Sequence, residues 1–261
     1  MKTLKISLIA LLLAFSAPAF AQEDSTASND DSYYEEGYAG YYDPLEGVNR
    51  QILKFNNVMD KYVFYPLIDG YRFIVPSQGR KVISNFLRNL KSPVDLANQI
   101  LQGDWDGMKN TAFRFTVNTF AGFGGTLDVA AWEGYEHESE DFGQTMAVWG
   151  IGDGPYLVIP FLGPASMRDG LGYGVDGLMN PINHYYNNTD ERHIAYKLTA
   201  ASFFEMKNQL SDFEKSQKKN SFDYYSALRS VIYQNRQSEI ADYKKHKSNG
   251  TSRFVPQYEE Y

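Results

Sequence analysis

Cysteine is absent from this chain of 261 residues. The protein therefore forms no disulfide, offers no thiolate to a metal, and has no cysteine to which a lipid could be attached. Histidine is also scarce, and the four histidines never lie three to five residues apart, so the usual spacing of a zinc site is missing. These four are His137, His184, His193 and His246. The fold has to be held together by packing.

Long hydrophobic runs are missing beyond the first residues. Lys2 and Lys5 precede an apolar stretch at residues 6–15, and Ala19-Phe20-Ala21 forms a small-x-small cleavage site. This pattern predicts a cleavable signal peptide over residues 1–21 and export from the cytoplasm. The stretch is shorter than the roughly 20 residues that a bilayer span needs. An uncleaved membrane anchor remains the alternative.

An excess of basic residues is also lacking, since 25 Lys and Arg face 32 Asp and Glu, for a net charge of −7. This balance argues against a nucleic-acid binder, which needs clustered cations for phosphate contacts. Residues 22–42 are acidic and rich in tyrosine, which predicts a disordered leader. We expect one helical domain over residues 43–247 and a flexible tail over residues 248–261.

Sequence patterns of α-helices dominate the predicted domain. Asp43-Pro44-Leu45-Glu46 has the form of a helix start with Asp43 as the N-cap, and Pro66 should end or bend that helix. Ser92-Pro93-Val94-Asp95 repeats the start signal, and another helix begins at Asp104. Apolar residues recur at helical spacing and should lie on the buried faces. They are Val48, Ile52, Phe55, Met59 and Tyr62, then Met108, Ala112 and Phe115, then Phe203, Met206, Leu210 and Phe213.

Residues 79–91 form a compact amphipathic segment. Five apolar residues share one side of the predicted helix, and basic or small polar residues share the other. The apolar residues are Val82, Ile83, Phe86, Leu87 and Leu90, and the polar ones are Lys81, Ser84, Arg88 and Lys91. Two interpretations stay open: a helix lying flat at a bilayer surface, and an ordinary core-facing helix.

Residues 142–164 are apolar and aromatic but are interrupted repeatedly by glycine and proline. Neither a long helix nor a long strand fits that composition, and Tyr156–Ile159 is the best short strand. An irregular backbone with so much apolar surface suits the wall of a cavity or a surface that meets lipid. The predicted fold class is mainly α, with amphipathic helices and Gly/Pro-rich irregular segments.

A catalytic constellation is not found in the sequence. Residues 172–177 match GxGxxG, but without the strand and distant acidic residue of a nucleotide-binding unit. The acidic run at residues 136–141 lacks the alternating ligands of a calcium loop, and Asp141 is better read as the cap of a following helix. We therefore predict a protein that is not an enzyme and has no cofactor or metal; a secreted hydrolase is the weaker alternative.

Five sequence blocks in a fixed order resemble the MlaA/VacJ family. They are DPLEGVNR at 43–50, SNFLRNLKSPVDLANQILQGD at 84–104, RFTVNTFAGFGGTLDVA at 114–130, FGQT at 142–145 with GxGxGPY at 150–156, and IPFLGP at 159–164. The resemblance implies a ring-like, membrane-embedded helical body at the periplasmic face of the outer membrane, pierced by an amphipathic channel. It implies removal of misplaced phospholipid from the outer leaflet and transfer to a periplasmic carrier of the MlaC type.

The resemblance also implies a trimeric porin as a partner and, in many relatives, a lipid on an N-terminal cysteine that this chain does not have. How it is retained at the membrane without that lipid is left open. The runner-up function is a periplasmic adaptor that binds lipid or a porin without conducting anything.

Candidate lipid contacts follow from the needs of such a channel. The forked guanidinium of arginine suits phosphate, so we nominate Arg50, Arg114 and Arg168 for headgroups. Each could instead pair with a nearby acid such as Glu46, Asp128 or Asp169. Tyr156, Leu157, Ile159 and Phe161 are candidates for a channel or lipid-facing wall, with ordinary core packing as the alternative.

Overall fold

The structure is a computed structural model that describes residues 41–189 and 191–249, all of which belong to one compact unit. The predicted signal peptide, most of the predicted leader and the tail from residue 250 lie outside the described residues. Tyr41 was assigned to the leader, but it is buried and stacks on Tyr156 with ring centroids 5.7 Å apart. Tyr41 therefore belongs to the packed fold and not to the leader.

The described residues are mainly helical, which confirms the predicted fold class. The helices are α1 (Glu46–Met59), α2 (Tyr65–Ile74), α3 (Ser77–Gln102), α4 (Trp105–Phe120), α5 (Val129–Trp132), α6 (Phe142–Val148), α7 (Met167–Met179), α8 (Pro181–Asn187), α9 (Arg192–Asn220) and α10 (Tyr224–Asn249). A π-helical turn, Asp60–Phe64, joins α1 to α2, and β1 (Tyr156–Ile159) and β2 (Gly163–Ser166) form an antiparallel hairpin.

The first predicted helix start is corrected. Helix α1 begins at Glu46 and has no side-chain cap. The side chain of Asp43 instead accepts hydrogen bonds from Asn49 and from the hydroxyl of Tyr225, and it pairs with Arg229 at 3.2 Å. The local pattern predicts that the Asp43 carboxylate caps α1, but the carboxylate makes tertiary contacts with α10 instead.

The sequence predicts that Pro66 ends or bends the first helix and that Pro93 lies at a helix start. The helical path from Glu46 continues past Pro66 to Ile74, and a π-helical turn precedes that proline. Helix α3 also runs without a break through Pro93, so residues 79–91 and the predicted helix after Ser92 are one element. A proline removes one backbone donor and crowds the preceding turn, costs that tertiary packing can offset.

The predicted helix start at Asp104 and the predicted cap at Asp141 are confirmed. The side chain of Asp104 accepts a hydrogen bond from the backbone of Gly107 at the start of α4. At the start of α6, Asp141 and Gln144 form a reciprocal capping box. Local sequence therefore fixed these two helix starts because each cap satisfies backbone donors that the helix itself leaves free.

The predicted strand Tyr156–Ile159 is confirmed and is held by α1. Asn49 and Asn56 lie two turns apart on that helix, and their side-chain amides bond to the backbone of the hairpin. Asn49 contacts the carbonyl of Tyr156 and the amide of Val158, at 2.9 and 3.0 Å. Asn56 contacts Ile159 and Phe161 in the same way. The two amides extend the hydrogen bonding of β1 beyond its paired strand.

The buried faces of several long helices are polar, which overturns the predicted orientation of their apolar stripes. In α1, Asn49, Asn56 and Asp60 of the adjoining turn are buried, whereas Val48 and Phe55 are exposed. Polar residues are also buried in three other long helices, although the predicted apolar residues Met108, Ala112 and Phe115 of α4 are half-buried and not exposed. Buried polar residues include Asn89, Asp95, Asn98 and Gln99 of α3, Asn110, Arg114 and Asn118 of α4, and Glu205, Lys207, Asn208 and Ser211 of α9.

Large apolar side chains are correspondingly turned outward. Phe73 is 92% exposed, Ile74 77% and Phe120 84%. Large apolar side chains that are exposed in such number are typical of a surface that contacts another protein or a membrane. None of the helices within residues 41–189 and 191–249 has both the length and the apolar character to cross a bilayer.

Close packing of α6 on α7 depends on two glycines. A Cβ at Gly172 would lie 2.5 Å from the backbone nitrogen of Gly143, and a Cβ at Gly143 would lie 2.5 Å from Asp169. Gly172 is the first glycine of the GxGxxG match, which lies within α7 and not at a strand-to-helix turn. The match is therefore a packing feature of two helices.

We expect Gly172→Ala to lower the free energy of unfolding by about 1–3 kcal/mol, because backbone would have to move to admit the methyl group. Gly174→Ala is the matched control, since its Cβ meets nothing within 4 Å. There the added methyl group should be neutral or stabilising by up to about 1 kcal/mol. Chemical denaturation of both variants checks this, and equal stability of the two would contradict the packing role.

Candidate functional site: an amphipathic cavity

An open cavity of ≈ 520 Å³ lies between α3, the start of α8 and α9. Its apolar wall includes Leu87, Leu90, Ile182, Leu198 and Met206. Arg88, Lys91, Ser84, His137, Ser139 and Glu205 supply its charged and polar groups. The cavity thus offers apolar and charged surface together, which is the chemistry needed by a ligand with a polar head and an apolar body.

Arg88 and Lys91 lie almost one turn apart on α3 and carry the positive charge of this wall. The guanidinium of Arg88 lies 3.8 Å from Asp128, a long pairing distance. Lys91 lies 3.1 Å from the buried Asp95 and also bonds to Ser139 and the carbonyl of Glu140. Burial raises the pKa of Asp95, and the charge of Lys91 opposes that rise.

His137 lines the same wall and lies next to a second, small cavity that Arg88 and Arg114 also line. Burial, together with the positive charges of Arg88, Arg114 and Lys91, lowers the pKa of His137 to about 3, against the opposing effect of Asp128. The imidazole is therefore neutral at physiological pH. It therefore adds no further positive charge near Arg88, Arg114 and Lys91.

Protonation of His137 should make the fold sensitive to acid. Because the unfolded imidazole has a pKa of 6.5 and the folded one about 3, the unfolded state gains protons first as pH falls below 6.5. We expect the wild type to lose about 2 kcal/mol more than His137→Gln between pH 7 and pH 5. Chemical denaturation at both pH values measures this difference. Parallel pH profiles of the two proteins would contradict it.

Arg114 is buried and does not line the larger cavity. Its guanidinium makes two hydrogen bonds to Asp128, at 2.8 and 2.9 Å, and one to the carbonyl of Tyr135. Burial raises the pKa of Asp128, but hydrogen bonds from Arg114 and Asn118 outweigh it and hold that pKa below its usual range. Arg114 is therefore paired with Asp128, which the sequence left open as the alternative to a headgroup contact.

Arg50 and Arg168 are also paired with acids. Arg50 bonds to Glu46 and Asp223, each at 2.7 Å, and lies over the ring of Tyr225. Arg168 is buried and lies 2.7 Å from Asp153 and 3.4 Å from Asp169. Of the three nominated arginines, Arg114 lines the small cavity, and neither Arg50 nor Arg168 lines either of these two cavities.

The candidate wall residues of the hairpin separate into two groups. Tyr156 is fully buried in an apolar cluster with Tyr41, Leu53 and Val158, which matches the core alternative. Leu157 and Ile159 are half-buried, and Phe161 is 41% exposed and packs edge-on against Phe55. Phe161 is the member of this set that faces outward most.

The amphipathic segment of α3 also divides. Val82 and Ile83 are exposed and Phe86 is half-buried, whereas Leu87 and Leu90 line the cavity. The segment therefore contributes to two surfaces, one on the outside of the protein and one on the cavity wall.

Sequence reasoning did not nominate Glu205 and Gln209, and it placed Arg88 and Lys91 only on the polar side of a surface helix. The signal that could have found the two cations is their position beside Leu87 and Leu90, on the boundary between the two faces. Glu205 had no such signal, because its place opposite α3 depends on how α9 packs.

Buried polar residues on several helices, exposed large apolar side chains and an amphipathic cavity are together typical of a helical protein at a lipid–water interface. The chain belongs to the MlaA lipoprotein family, whose model matches residues 41–239. This range covers the described fold except the end of α10 after residue 239. The π-helical turn and the β-hairpin both lie inside it.

Similar proteins support this membership. An uncharacterised protein of Rickettsia prowazekii is 32% identical over 207 residues, covering 79% of this chain and 81% of the relative. The intermembrane phospholipid transport system lipoprotein MlaA of Escherichia coli is 41% identical over 143 residues, covering 53% of this chain and 57% of its own length.

A solved structure is also similar, with a TM-score of 0.65 and 33% identity. The aligned region covers 76% of this chain and 98% of the solved chain. That structure was solved in work on the structural basis for maintenance of bacterial outer membrane lipid asymmetry. The similarity over nearly that whole chain confirms the helical fold.

Proposed function

We propose that this protein takes part in intermembrane phospholipid transport at the outer membrane and removes misplaced phospholipids from the outer leaflet. The observation that carries the proposal is the joint arrangement of an exposed apolar surface and a cavity lined by both cations and aliphatic side chains. Relatives of the same family are named as transport lipoproteins.

Physical chemistry explains why such a cavity suits this work. Moving an acyl chain into water costs about 0.8 kcal/mol for each CH₂. A lipid therefore needs an apolar path for its tails. Its phosphate needs hydrogen bonds or cations throughout the same path. Leu198 and Met206 offer the first kind of contact, and Arg88 offers the second.

The protein acts, in this proposal, without a chemical reaction, and directional flow comes from the components downstream. A periplasmic carrier of the MlaC type is the proposed recipient, and a trimeric porin is the proposed neighbour in the membrane. The ring-like body implied by the family resemblance would place the cavity across the inner leaflet.

The test is a deletion strain complemented with cavity variants, followed by labelling of outer-leaflet phospholipid with an impermeant reagent. We expect the deletion to raise the labelled phospholipid and the wild type to restore it. Ser202→Trp, which fills the cavity, should fail to restore it. Ser216→Trp is the control, because Ser216 is exposed and not part of the cavity lining.

An unchanged outer leaflet in the deletion strain would overturn the proposal. Full restoration by Ser202→Trp would favour the alternative function, an adaptor that binds lipid or a porin without conducting, because an adaptor does not need an open cavity.

A further inference from the structure

The charged groups of the cavity are distributed over two walls. Arg88 and Lys91 belong to α3, whereas Glu205 belongs to α9 and is the acidic member of the lining. Two cations therefore lie on one side and one carboxylate on the other. A ligand that carries a single negative charge would match the first wall but would meet repulsion at the second.

Arg88 keeps hydrogen-bonding capacity for a ligand. Its neighbour Asp128 is already held by two short hydrogen bonds from Arg114, and Arg88 lies 3.8 Å from the same carboxylate. The Asp128 carboxylate thus lies near the guanidinium groups of both Arg88 and Arg114. The fork of Arg88 is about one-third exposed and suits an incoming phosphate.

Lys91 contributes charge more than new hydrogen bonds. Its ammonium already bonds to Asp95, Ser139 and the carbonyl of Glu140, but its side chain is 42% exposed at the cavity wall. The wall formed by α3 therefore presents two cationic side chains to the cavity, and each has one acidic neighbour: Asp128 beside Arg88 and Asp95 beside Lys91. An anionic group can approach the exposed part of each cation.

The side chain of Gln209 links Glu205 to the opposite wall of the cavity. The side-chain amide of Gln209 donates to Glu205 at 3.0 Å and to Ser84 of α3 at 3.1 Å. Ser84 lies four residues before Arg88, which is about 6 Å along a helix. The carboxylate of Glu205 and the guanidinium of Arg88 thus lie on facing walls of one cavity, where two ends of one ligand can reach them.

We propose that the cavity binds the zwitterionic head of a phospholipid, with the phosphate at Arg88 and Lys91 and the head ammonium at Glu205. The inference deepens the proposed function and rests on it, because it names the class of lipid that the same site prefers. An anionic phospholipid with a neutral head leaves Glu205 unpaired and should bind more weakly.

The test is native mass spectrometry of the purified full chain in a neutral detergent with short-chain lipids. The probes are dihexanoyl phosphatidylethanolamine, dihexanoyl phosphatidylglycerol and dihexanoylglycerol, together with inorganic phosphate. We expect the first lipid to bind at least tenfold more tightly than the second, and the glyceride and free phosphate to bind weakest. A preference for free phosphate would mean an anion site without lipid recognition and would overturn the proposal.

Three variants separate the charges. Arg88→Gln with Lys91→Gln should reduce binding of both phospholipids about tenfold or more, and Arg88→Lys with Lys91→Arg should recover part of it. Glu205→Gln should leave phosphatidylglycerol binding unchanged or stronger and remove the preference for the ethanolamine head. Lys197→Gln and Glu191→Gln are exposed controls that should change nothing.

Unchanged affinity in the Arg88 and Lys91 double variant overturns the proposal, as does a preserved headgroup preference in Glu205→Gln. Thermal unfolding of each variant identifies any loss of fold. Failure of this binding pattern, combined with restored outer-leaflet composition in cells, would reject the headgroup site while the transport function stands. The reverse combination, specific binding without any effect in cells, would reject the transport function.

Discussion

Replacing Arg236 with Met should lower the free energy of unfolding by about 3–5 kcal/mol, the cost of leaving buried carboxylates without their partner. Arg236 is nearly buried and reaches Asp141 at 3.0 Å and Asp169 at 2.9 Å. It thereby joins α10 to the start of α6 and to α7. Chemical denaturation of the purified variant measures the loss.

The surface pair Lys109–Asp106 provides the control for this prediction. Lys109 is 71% exposed, so Lys109→Met should change stability by less than about 1 kcal/mol. A loss at Arg236 no greater than the loss at Lys109 would show that the buried network does not stabilise the fold. The double variant with Asp169→Asn should cost less than the sum of the two single changes.

The pH dependence of the same network has a definite sign. Burial raises the pKa of Asp169, but the hydrogen bond and charge of Arg236 outweigh burial and lower that pKa overall. The stabilisation is therefore present above about pH 4, the pKa of an unfolded Asp, and is lost as pH falls through the lower folded value. The stability difference between wild type and Arg236→Met should shrink in that acidic range.

Introducing two carboxylates by Phe73→Asp and Ile74→Asp should reduce binding to lipid vesicles at least 100-fold. Phe73 and Ile74 are the last two residues of α2, and both side chains are largely exposed. Burying a side chain of this size contributes about 1.5–3 kcal/mol, and each 1.4 kcal/mol corresponds to a factor of ten in affinity. Flotation with neutral phosphatidylcholine vesicles measures the change.

A charge-matched control separates apolar burial from repulsion. Ser216→Asp with Asn220→Asp adds the same two charges at exposed polar positions of α9. This control should float like the wild type. If the Phe73 and Ile74 variant floats equally well, the exposed apolar surface does not serve membrane contact.

Local signals predicted helix existence better than helix limits. Asp104 and Asp141 cap the helices that follow them, as the sequence indicated. Pro66 was expected to end or bend a helix and Pro93 to mark a helix start, yet the helical path continues past both prolines. A cap is decided by groups within one turn, whereas the penalty of a proline is weighed against packing over the whole helix.

Part of the site could also be anticipated. The boundary between the two faces of residues 79–91 was visible, and Arg88 and Lys91 lie on it. The nominated arginines Arg50, Arg114 and Arg168 instead pair with carboxylates. A sequence reports that an arginine is present but not which distant acid folding brings to it.

By itself, the sequence determined the helical class, the order of the main elements and the family resemblance, because periodicity and capping are local properties. The tertiary structure alone decided which face of each helix is buried. Apolar stripes such as Val48 and Phe55 predict an inward face only if water is the surrounding solvent. Here Asn56, Asn98 and Asn208 find their hydrogen-bond partners inside, so the same stripes are left on the outer surface.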